Sequence, residues 1–161
     1  MEKSNCKILF VCMGNICRSP TAHGVMRHKL NTRAGAQQVL VDSAGTHNHH
    51  PGSAPDARAQ AHARRRGYDV SDLRARQVRD ADFETFDLIL AMDDDNLSVL
   101  RQRCPPQHRH KLMRLTEFCR IHTSPVVPDP YYGGARGFEQ VLDLIEDACD
   151  GLLAELLKPS L

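Results

Sequence analysis

The stretch Lys7–Thr21, which reads KILFVCMGNICRSPT, constrains the fold of this 161-residue chain more than any other. It opens with a continuous apolar run, Ile8 to Val11, whose β-branched and aromatic side chains predict a strand buried on both faces. Gly14 then permits the tight backbone turn that follows such a strand. Pro20 suits the first turn of a helix, where a missing N–H costs nothing. The stretch therefore predicts a strand, a tight loop and a helix.

A loop of this kind presents backbone N–H groups above the positive end of the helix dipole, which is favourable for an anion. Arg18 adds a planar fork that can hold two phosphate oxygens. The same positive surroundings favour the thiolate form of Cys12, a strong nucleophile. Ser19 is placed to donate to that sulfur, and Asn15 to brace the loop through its side chain. The predicted phosphate-binding residues are Met13, Gly14, Asn15, Ile16, Cys17 and Arg18.

Two other interpretations of the loop are weaker. Cys12 alone is compatible with an inert thiol at a strand end, because cysteines are often buried. The strand before it, with Gly14 and Pro20 after it, disfavours that interpretation, because the cysteine then lies in the context its chemistry needs. A nucleotide-binding phosphate loop is disfavoured because no Gly-Lys-Ser/Thr sequence follows Gly14.

The rest of the chain alternates short apolar runs with helical patterns, which implies a parallel sheet with helices on both faces. Cys12, Ser43 and Asp93 follow predicted strands, so we expect them at the edge where such sheets bind ligands. No repeat or linker interrupts residues 1–161, which predicts a single domain. We predict strands at residues 39–41, 86–92 and 111–115, a polar connector before the second of these, and helices from Pro20 to about Leu30, Asp56 to Arg66, Asp93 to about Cys104 and Gly137 to Leu157.

Composition argues against nucleic-acid and membrane partners. Charged residues are 25% of the chain and the net charge is +1, so no global field favours either surface. The basic residues Arg64 to Arg66 close a predicted helix, where cations are favoured, with few aromatic residues between them for stacking on bases. No apolar run reaches the roughly 18 residues of a spanning helix, and the first six residues lack a secretory signal. We therefore expect a cytoplasmic protein whose six cysteines are thiols.

Metal sites are also disfavoured, and we expect no cofactor. The residues Cys104, His108, His110, Cys119 and His122 match no paired zinc-ligand spacing. The acidic run Asp93 to Asp95 opens a predicted helix, where the dipole favours carboxylates without an ion.

A thiolate that displaces an alkoxide or phenoxide needs a proton donor for the leaving oxygen. Asp129 is the best candidate, because prolines on both sides stiffen its backbone. Tyr131 and Tyr132 follow it and can wall a slot for an aromatic ring. Asp-Pro-Tyr-Tyr is also common as a surface turn, so this interpretation depends on the presence of Cys12.

Together these residues resemble the low-molecular-weight protein tyrosine phosphatases over nearly the whole chain. The resemblance implies a three-layer α/β fold, with a four-stranded parallel sheet flanked by helices on both faces, and a metal-free, two-step hydrolysis of phosphotyrosine. The motifs that carry it are VCMGNICRSP near the start, DSAGT after the second predicted strand, ARQV at residues 75–78, FDLILAMD at residues 86–93 and DPYY at residues 129–132.

The resemblance also implies a role for each matching residue. Cys12 attacks phosphorus to give a phosphocysteine, while Arg18 and the loop amides hold the equatorial oxygens. Asp129 protonates the tyrosine oxygen and then, as a base, activates water. Ser43 matches a position that supports the loop through Asn15.

Two positions depart from the family pattern. Leu73 stands where the family commonly carries a histidine, so we expect an incomplete bracing network around Asn15 and Ser43. His49 stands where a tryptophan or tyrosine usually walls the substrate pocket. A histidine is smaller and titratable, so we expect weaker or pH-dependent binding of aromatic substrates.

The family resemblance further implies that oxidation joins Cys12 to Cys17 in a disulfide, although Cys17 is also compatible with a simple packing role. We expect phosphotyrosine-containing proteins as substrates, and a monomer or weak dimer. Two other functions stay open. An arsenate reductase shares the loop but needs relay cysteines, and residues 80–95 contain none. A catalytically weak phosphoprotein binder is the other, given Leu73 and His49.

Overall fold

The protein is described by a computed structural model that covers residues 6–33, 35, 38–131 and 133–157. It confirms the predicted α/β class: four parallel strands form one sheet in the order β2-β1-β3-β4. The strands are β1 (Cys6–Cys12), β2 (Val39–Gly45), β3 (Leu88–Ala91) and β4 (Leu112–Arg114). The helices in the described ranges are α1 (Arg18–Asn31), α2 (Ala57–Arg65), α3 (Asp80–Thr85), α4 (Asp94–Arg103) and α5 (Ala135–Leu156), with 3₁₀ turns at Pro106–Lys111 and Leu115–Phe118.

Strand β1 lies at the centre of the molecule and its side chains alternate between two cores. Ile8 and Phe10 pack with the apolar residues of α1 and α5 on one face of the sheet. Leu9 and Val11 pack with those of α3 and α4 on the other face. All four side chains are fully buried, which confirms the strand buried on both faces. Among the described helices, none is long and apolar enough to cross a membrane.

Some element boundaries differ from the predicted ones. Strand β3 was predicted at residues 86–92 and β4 at residues 111–115, and both are shorter in the structure. Strand β2 continues from the predicted end at residue 41 to Gly45, because this polar stretch pairs with β1 as far as Cys12. The connector before β3 contains the short helix α3, which the polar sequence did not predict. The carboxylate of Asp82 accepts the backbone N–H of Arg79 at 2.8 Å and so closes the first turn of that helix.

The carboxyl ends of β1, β2 and β3 meet at one edge of the sheet, which is where the loop after β1 lies. Cys12 is the register partner of Gly45, and Val11 that of Ala91. A Cβ atom on Gly45 would lie 2.6 Å from the carbonyl oxygen of Met13, a clash with backbone that cannot shift freely. Glycine at the end of β2 therefore lets the loop lie directly against the strand.

Candidate active site

The loop between β1 and α1 is held to the surrounding structure through its carbonyl groups. Its tightest turn is at Asn15, whose φ of 58° lies in the left-handed region that few non-glycine residues adopt. Asparagine tolerates this conformation because its short side chain can bond locally. The carbonyl oxygens of Cys12, Met13, Ile16 and Cys17 accept backbone N–H groups of Thr46, His47, Asp56 and Thr21 at 2.9, 3.0, 2.8 and 3.3 Å.

The N–H groups of the same loop have no such partners. Within the part of the chain that the structure describes, no protein acceptor bonds the backbone N–H groups of residues 13–17. Helix α1 begins directly after them, has no acidic residue in its first turn, and contributes its own unpaired N–H groups. Because N–H groups away from water are nearly always paired, this arrangement is suited to an anion. The loop and the helix start therefore present a set of donors without protein acceptors, which we call the anion cradle, and anion binding there stays a prediction.

The Cys12 thiol lies in this cradle, 3% exposed, with its Sγ 3.0 Å from the Oγ of Ser19. Asn15 Nδ2 donates to the same Oγ at 2.7 Å, and the carbonyl oxygen of Ala44 lies 3.3 Å from it. The hydroxyl has one proton to give. If Cys12 is a thiolate, the Ser19 hydroxyl donates to its sulfur. If Cys12 is a neutral thiol, its S–H can donate to Oγ of Ser19, and the Ser19 hydroxyl can donate to the carbonyl oxygen of Ala44. Ser19 can therefore adapt to either charge state of the sulfur.

Arg18 is 3% exposed and is oriented by groups on two other loops. Its Nη1 donates to a carboxylate oxygen of Asp93 at 2.5 Å and to the carbonyl oxygen of Val127 at 3.0 Å. Its Nη2 lies 3.7 Å from a carboxylate oxygen of Asp129. Burial lowers the pKa of the guanidinium, but Cys12, Asp93 and Asp129 outweigh it and raise that pKa above its ordinary value. Since Nη1 has used both its protons, Nε and Nη2 remain for a bound anion.

A cavity of about 270 Å³ lies above the loop and is lined by Cys12, Arg18, Asp129 and Tyr131, among others. Asp129 accepts the backbone N–H of Tyr131 at 3.0 Å, which fixes the turn that carries both side chains. Outside the cavity, the guanidinium of Arg58 lies 5.3 Å from the centre of the Tyr131 ring. The structure thus brings together the residues predicted as nucleophile, phosphate-holding arginine, acid and one wall of the slot, namely Cys12, Arg18, Asp129 and Tyr131. The other predicted wall, Tyr132, lies outside the described residues.

Histidines from the loop after β2 complete the lining. His49 faces the cavity and stacks on His47, with ring centres 5.1 Å apart and planes 11° from parallel. A Cβ atom on Gly14 would lie 3.3 Å from the His50 ring, so this imidazole rests on the loop backbone. The predicted wall at His49 is therefore present, and His50, which the sequence did not single out, lies beside it.

Cys17 is on the same loop but in a different environment. Its side chain is buried against Ala59 of α2 and Phe138 of α5. Burial, followed by the nearby carboxylate of Asp56, raises the pKa of the Cys17 thiol to about 12. Cys17 is therefore a neutral thiol at physiological pH.

The expected contact between Ser43 and Asn15 is not among the hydrogen bonds of the described residues. Ser43 is the register partner of Phe10, so its side chain lies on the face of the sheet that α1 and α5 cover. There its Oγ is 3.1 Å from Nδ1 of His23 on α1. Burial lowers the pKa of the His23 imidazole, which favours its neutral form. Ser43 therefore braces α1 against β2 and does not hold Asn15.

Asn15 is bonded at both ends although position 73 is a leucine. Its Oδ1 accepts the backbone N–H of Arg76 at 3.0 Å, and its Nδ2 donates to Ser19. Arg76 was not identified as a site residue from the sequence, and the ARQV motif around it was the available signal. The orienting role of Asp93 was also missed, although its position directly after an apolar strand pointed to this edge of the sheet.

We predict that Asp93→Ala weakens the binding of inorganic phosphate about tenfold, because Arg18 loses a charge-assisted bond that orients it. Titration calorimetry with phosphate measures the effect. Asp95→Ala, which changes an exposed carboxylate on the first turn of α4, is the control and should bind phosphate as the wild type does. Unchanged or tighter binding by Asp93→Ala would mean that Asp93 neutralises Arg18 and does not orient it.

Comparison with known proteins agrees with this geometry. The profile of the family "Low molecular weight phosphotyrosine protein phosphatase" matches residues 7–160. A Synechocystis protein named for this class is 46% identical over 153 residues, covering 94% of this chain and 97% of that protein. The low molecular weight phosphotyrosine protein phosphatase of Homo sapiens is 36% identical over 153 residues, covering 94% and 96%.

A solved structure leads to the same result. The crystal structure of a protein tyrosine phosphatase from Entamoeba histolytica is similar to this chain with a TM-score of 0.92 and 43% identity, covering 96% of this chain and 98% of that one. Sequence and fold therefore agree over nearly the whole length. The chain belongs to the low molecular weight phosphotyrosine protein phosphatases, which are hydrolases.

Proposed function

We propose that this protein hydrolyses phosphotyrosine in protein substrates, with Cys12 as the nucleophile. The observation that carries the proposal is the set of loop N–H groups without protein acceptors, which surrounds a buried cysteine next to a buried Arg18. Several N–H donors and a guanidinium are what a phosphate dianion requires, and a sulfur among them is placed to attack phosphorus.

In the first step, the Cys12 thiolate attacks phosphorus opposite the tyrosine oxygen. The S–P bond forms as the P–O bond breaks, and Asp129 gives its proton to the leaving oxygen. Arg18, through Nε and Nη2, and the loop N–H groups hold the equatorial oxygens throughout. The products are a free tyrosine, a phosphocysteine and an ionised Asp129.

In the second step, Asp129 takes a proton from a water molecule, which attacks phosphorus. The S–P bond breaks and its electron pair returns to Cys12 as a thiolate. The Ser19 hydroxyl, 3.0 Å away, donates to that developing negative charge. Inorganic phosphate leaves, and Asp129 is again protonated for the next turnover. The charge is handled by Arg18 and backbone dipoles, so the reaction we propose uses no metal or other cofactor.

An aromatic phosphate ester fits the walls of the cavity. Tyr131 and His49 line it, and planar side chains of this kind pack favourably on an aromatic ring. A relative from Vibrio vulnificus, Wzb, has been solved in complex with benzylphosphonate and is 31% identical to this chain with a TM-score of 0.80. Benzylphosphonate resembles a phosphotyrosine side chain, with a methylene group between ring and phosphorus where phosphotyrosine has the ester oxygen. This supports phosphotyrosine as the substrate of this chain.

We predict that the Cys12→Ser variant does not turn over p-nitrophenyl phosphate but still binds inorganic phosphate, because the anion cradle remains.

We predict that Asp129→Ala lowers kcat about a hundredfold with phenyl phosphate, whose leaving group needs a proton, and less with p-nitrophenyl phosphate. Asp95→Ala is the control in steady-state assays. Equal losses with both esters would exclude Asp129 as the acid. If the wild-type protein binds phosphopeptides without turnover, the result would favour a catalytically weak phosphoprotein binder. If its thiols are oxidised in an arsenate-dependent reaction, the result would favour an arsenate reductase.

We also propose that His49 limits affinity for aromatic substrates. We predict that His49→Trp lowers KM for aryl phosphates about threefold, because a larger ring covers more of the substrate. His110→Trp, an exposed position in the 3₁₀ turn before β4, is the control for adding a tryptophan. Kinetics across aryl and alkyl phosphates measure the effect, and an unchanged KM for aryl phosphates would refute this role of His49.

A third proposal concerns peroxide. We propose that peroxide converts the Cys12 thiolate to a sulfenic acid and that Cys17 then displaces water from it to form a disulfide. Because the pKa of Cys17 is raised to about 12, few Cys17 thiolates are present at neutral pH, and we predict that disulfide closure accelerates as pH rises. Peptide mapping after peroxide measures this, with Cys17→Ala as the control. Recovery of Cys12 only as sulfinic or sulfonic acid in the wild type would contradict it.

A further inference from the structure

Arg76 lies behind the phosphate-binding loop, away from the cavity, and its guanidinium is held by two carboxylates. Its Nη1 and Nη2 donate to the two oxygens of Asp82 at 2.9 and 3.1 Å, and Nη2 also donates to Asp42 at 3.0 Å. The Asp82 side chain is only 5% exposed. Because Asp42 lies on β2 and Asp82 on α3, this one guanidinium joins two separate elements of the fold.

The backbone around Arg76 runs along the end of β2. We call residues 75–78 the strap. Its Arg76 carbonyl oxygen accepts the N–H of Gly45 at 2.8 Å, and its Val78 N–H donates to the Gly45 carbonyl oxygen at 2.8 Å. Gln77 forms a parallel bridge with Gly45. The strap is thus an extra stretch of parallel pairing that the guanidinium of Arg76 holds in register.

The strap reaches the loop through one hydrogen bond, from the Arg76 backbone N–H to Oδ1 of Asn15 at 3.0 Å. Asn15 is 3% exposed and has the left-handed φ of 58°, a conformation that is unfavourable without compensating bonds. Its other end donates to Ser19 at 2.7 Å, and Ser19 lies 3.0 Å from the Cys12 sulfur. A continuous series of contacts therefore runs from Arg76 to Cys12.

We propose that Arg76 is a positioning residue for the nucleophile. Because Asp82 and Asp42 hold its guanidinium, the backbone N–H of Arg76 stays bonded to Oδ1 of Asn15. Nδ2 of Asn15 then donates to Oγ of Ser19, and the hydroxyl proton of Ser19 is left to donate to the Cys12 thiolate. This inference rests on the proposed role of Cys12. Without the bonds from Arg76 to Asp82 and Asp42, Asn15 loses its bond to the Arg76 N–H. The Ser19 hydroxyl is then free to turn to the carbonyl oxygen of Ala44.

The alternative is that Arg76 only neutralises the buried carboxylate of Asp82. That role predicts a loss of stability with no change at Cys12. The two possibilities differ in the reactivity of the sulfur, which can be measured without turnover.

The test uses Arg76→Lys, which keeps the positive charge but removes the two-pronged grip on Asp82. Arg27→Lys is the matched control, because Arg27 makes the same two-pronged pair with Asp72, both bonds at 2.9 Å, away from the loop.

The measurement is the rate at which iodoacetamide alkylates Cys12, followed by peptide mapping over a range of pH. We expect the midpoint of the Arg76→Lys profile to move to higher pH and kcat to fall about tenfold, with KM for p-nitrophenyl phosphate nearly unchanged. Arg27→Lys should match the wild type.

A double-mutant cycle with Ser19→Ala tests the route of the effect. If Arg76 acts through Ser19, Arg76→Lys should change neither kcat nor the alkylation profile further in the Ser19→Ala background. Should Arg76→Lys fold poorly, the pair Arg76→Met with Asp82→Asn removes both charges and leaves no buried carboxylate unpaired. An alkylation profile like that of the wild type in a folded Arg76 variant overturns the proposal. A wild type whose Cys12 alkylates at low pH without turnover would instead count against the proposed hydrolysis.

Discussion

The loop after β1 keeps its shape because its carbonyl groups, and not its N–H groups, are bonded to the rest of the protein. Thr46 and His47 hold its first half from the loop after β2, and Asp56 holds its second half from the start of α2. A peptide unit whose oxygen is fixed in this way has its N–H directed oppositely, since the unit is planar. The framework therefore determines where the donors of the anion cradle point.

Arg18 adds a full positive charge to this cradle at a place where water has little access. A buried cation is costly unless carboxylates and hydrogen bonds compensate it. Asp93 and the Val127 carbonyl satisfy one nitrogen of the guanidinium, and Asp129 stands near the other. In the proposed reaction, Arg18 therefore meets the phosphate already oriented by groups on two other loops.

The sequence predicted the parts of this protein that depend on local patterns. The buried strand β1 and the start of a helix near Pro20 follow from adjacent residues. The tight turn after β1 was also predicted, but at Gly14, whereas the residue with the left-handed φ is Asn15. The last helix follows from the helical spacing of its apolar residues, and Phe138, Val141, Leu142, Ile145, Cys149 and Leu152 are buried in α5. The four-stranded parallel sheet followed from alternation of strands and helices together with the family resemblance.

The features that the sequence did not predict depend on partners distant in the chain. Helix α3 is too short to show periodicity, and its Phe83 is buried among residues of β1, β3 and α4, of which β1 is distant in the chain. The polar half of β2 is a strand only because β1 pairs with it. Ser43 bonds His23 because the pleat turns it toward α1, and no spacing rule places those two side chains together.

The two cysteines of the loop show how far environment, and not residue type, decides chemistry. Cys12 lies 3.0 Å from the hydroxyl of Ser19 and close to the buried guanidinium of Arg18. Cys17 points into the apolar contact between α2 and α5, where burial and Asp56 keep its proton in place. Both residues occur in one short motif, and a rule based on composition would treat them alike. The turn at Asn15 separates the two side chains, so that Cys12 lies beside Ser19 and Cys17 lies among packing groups, and we propose only Cys12 as the nucleophile.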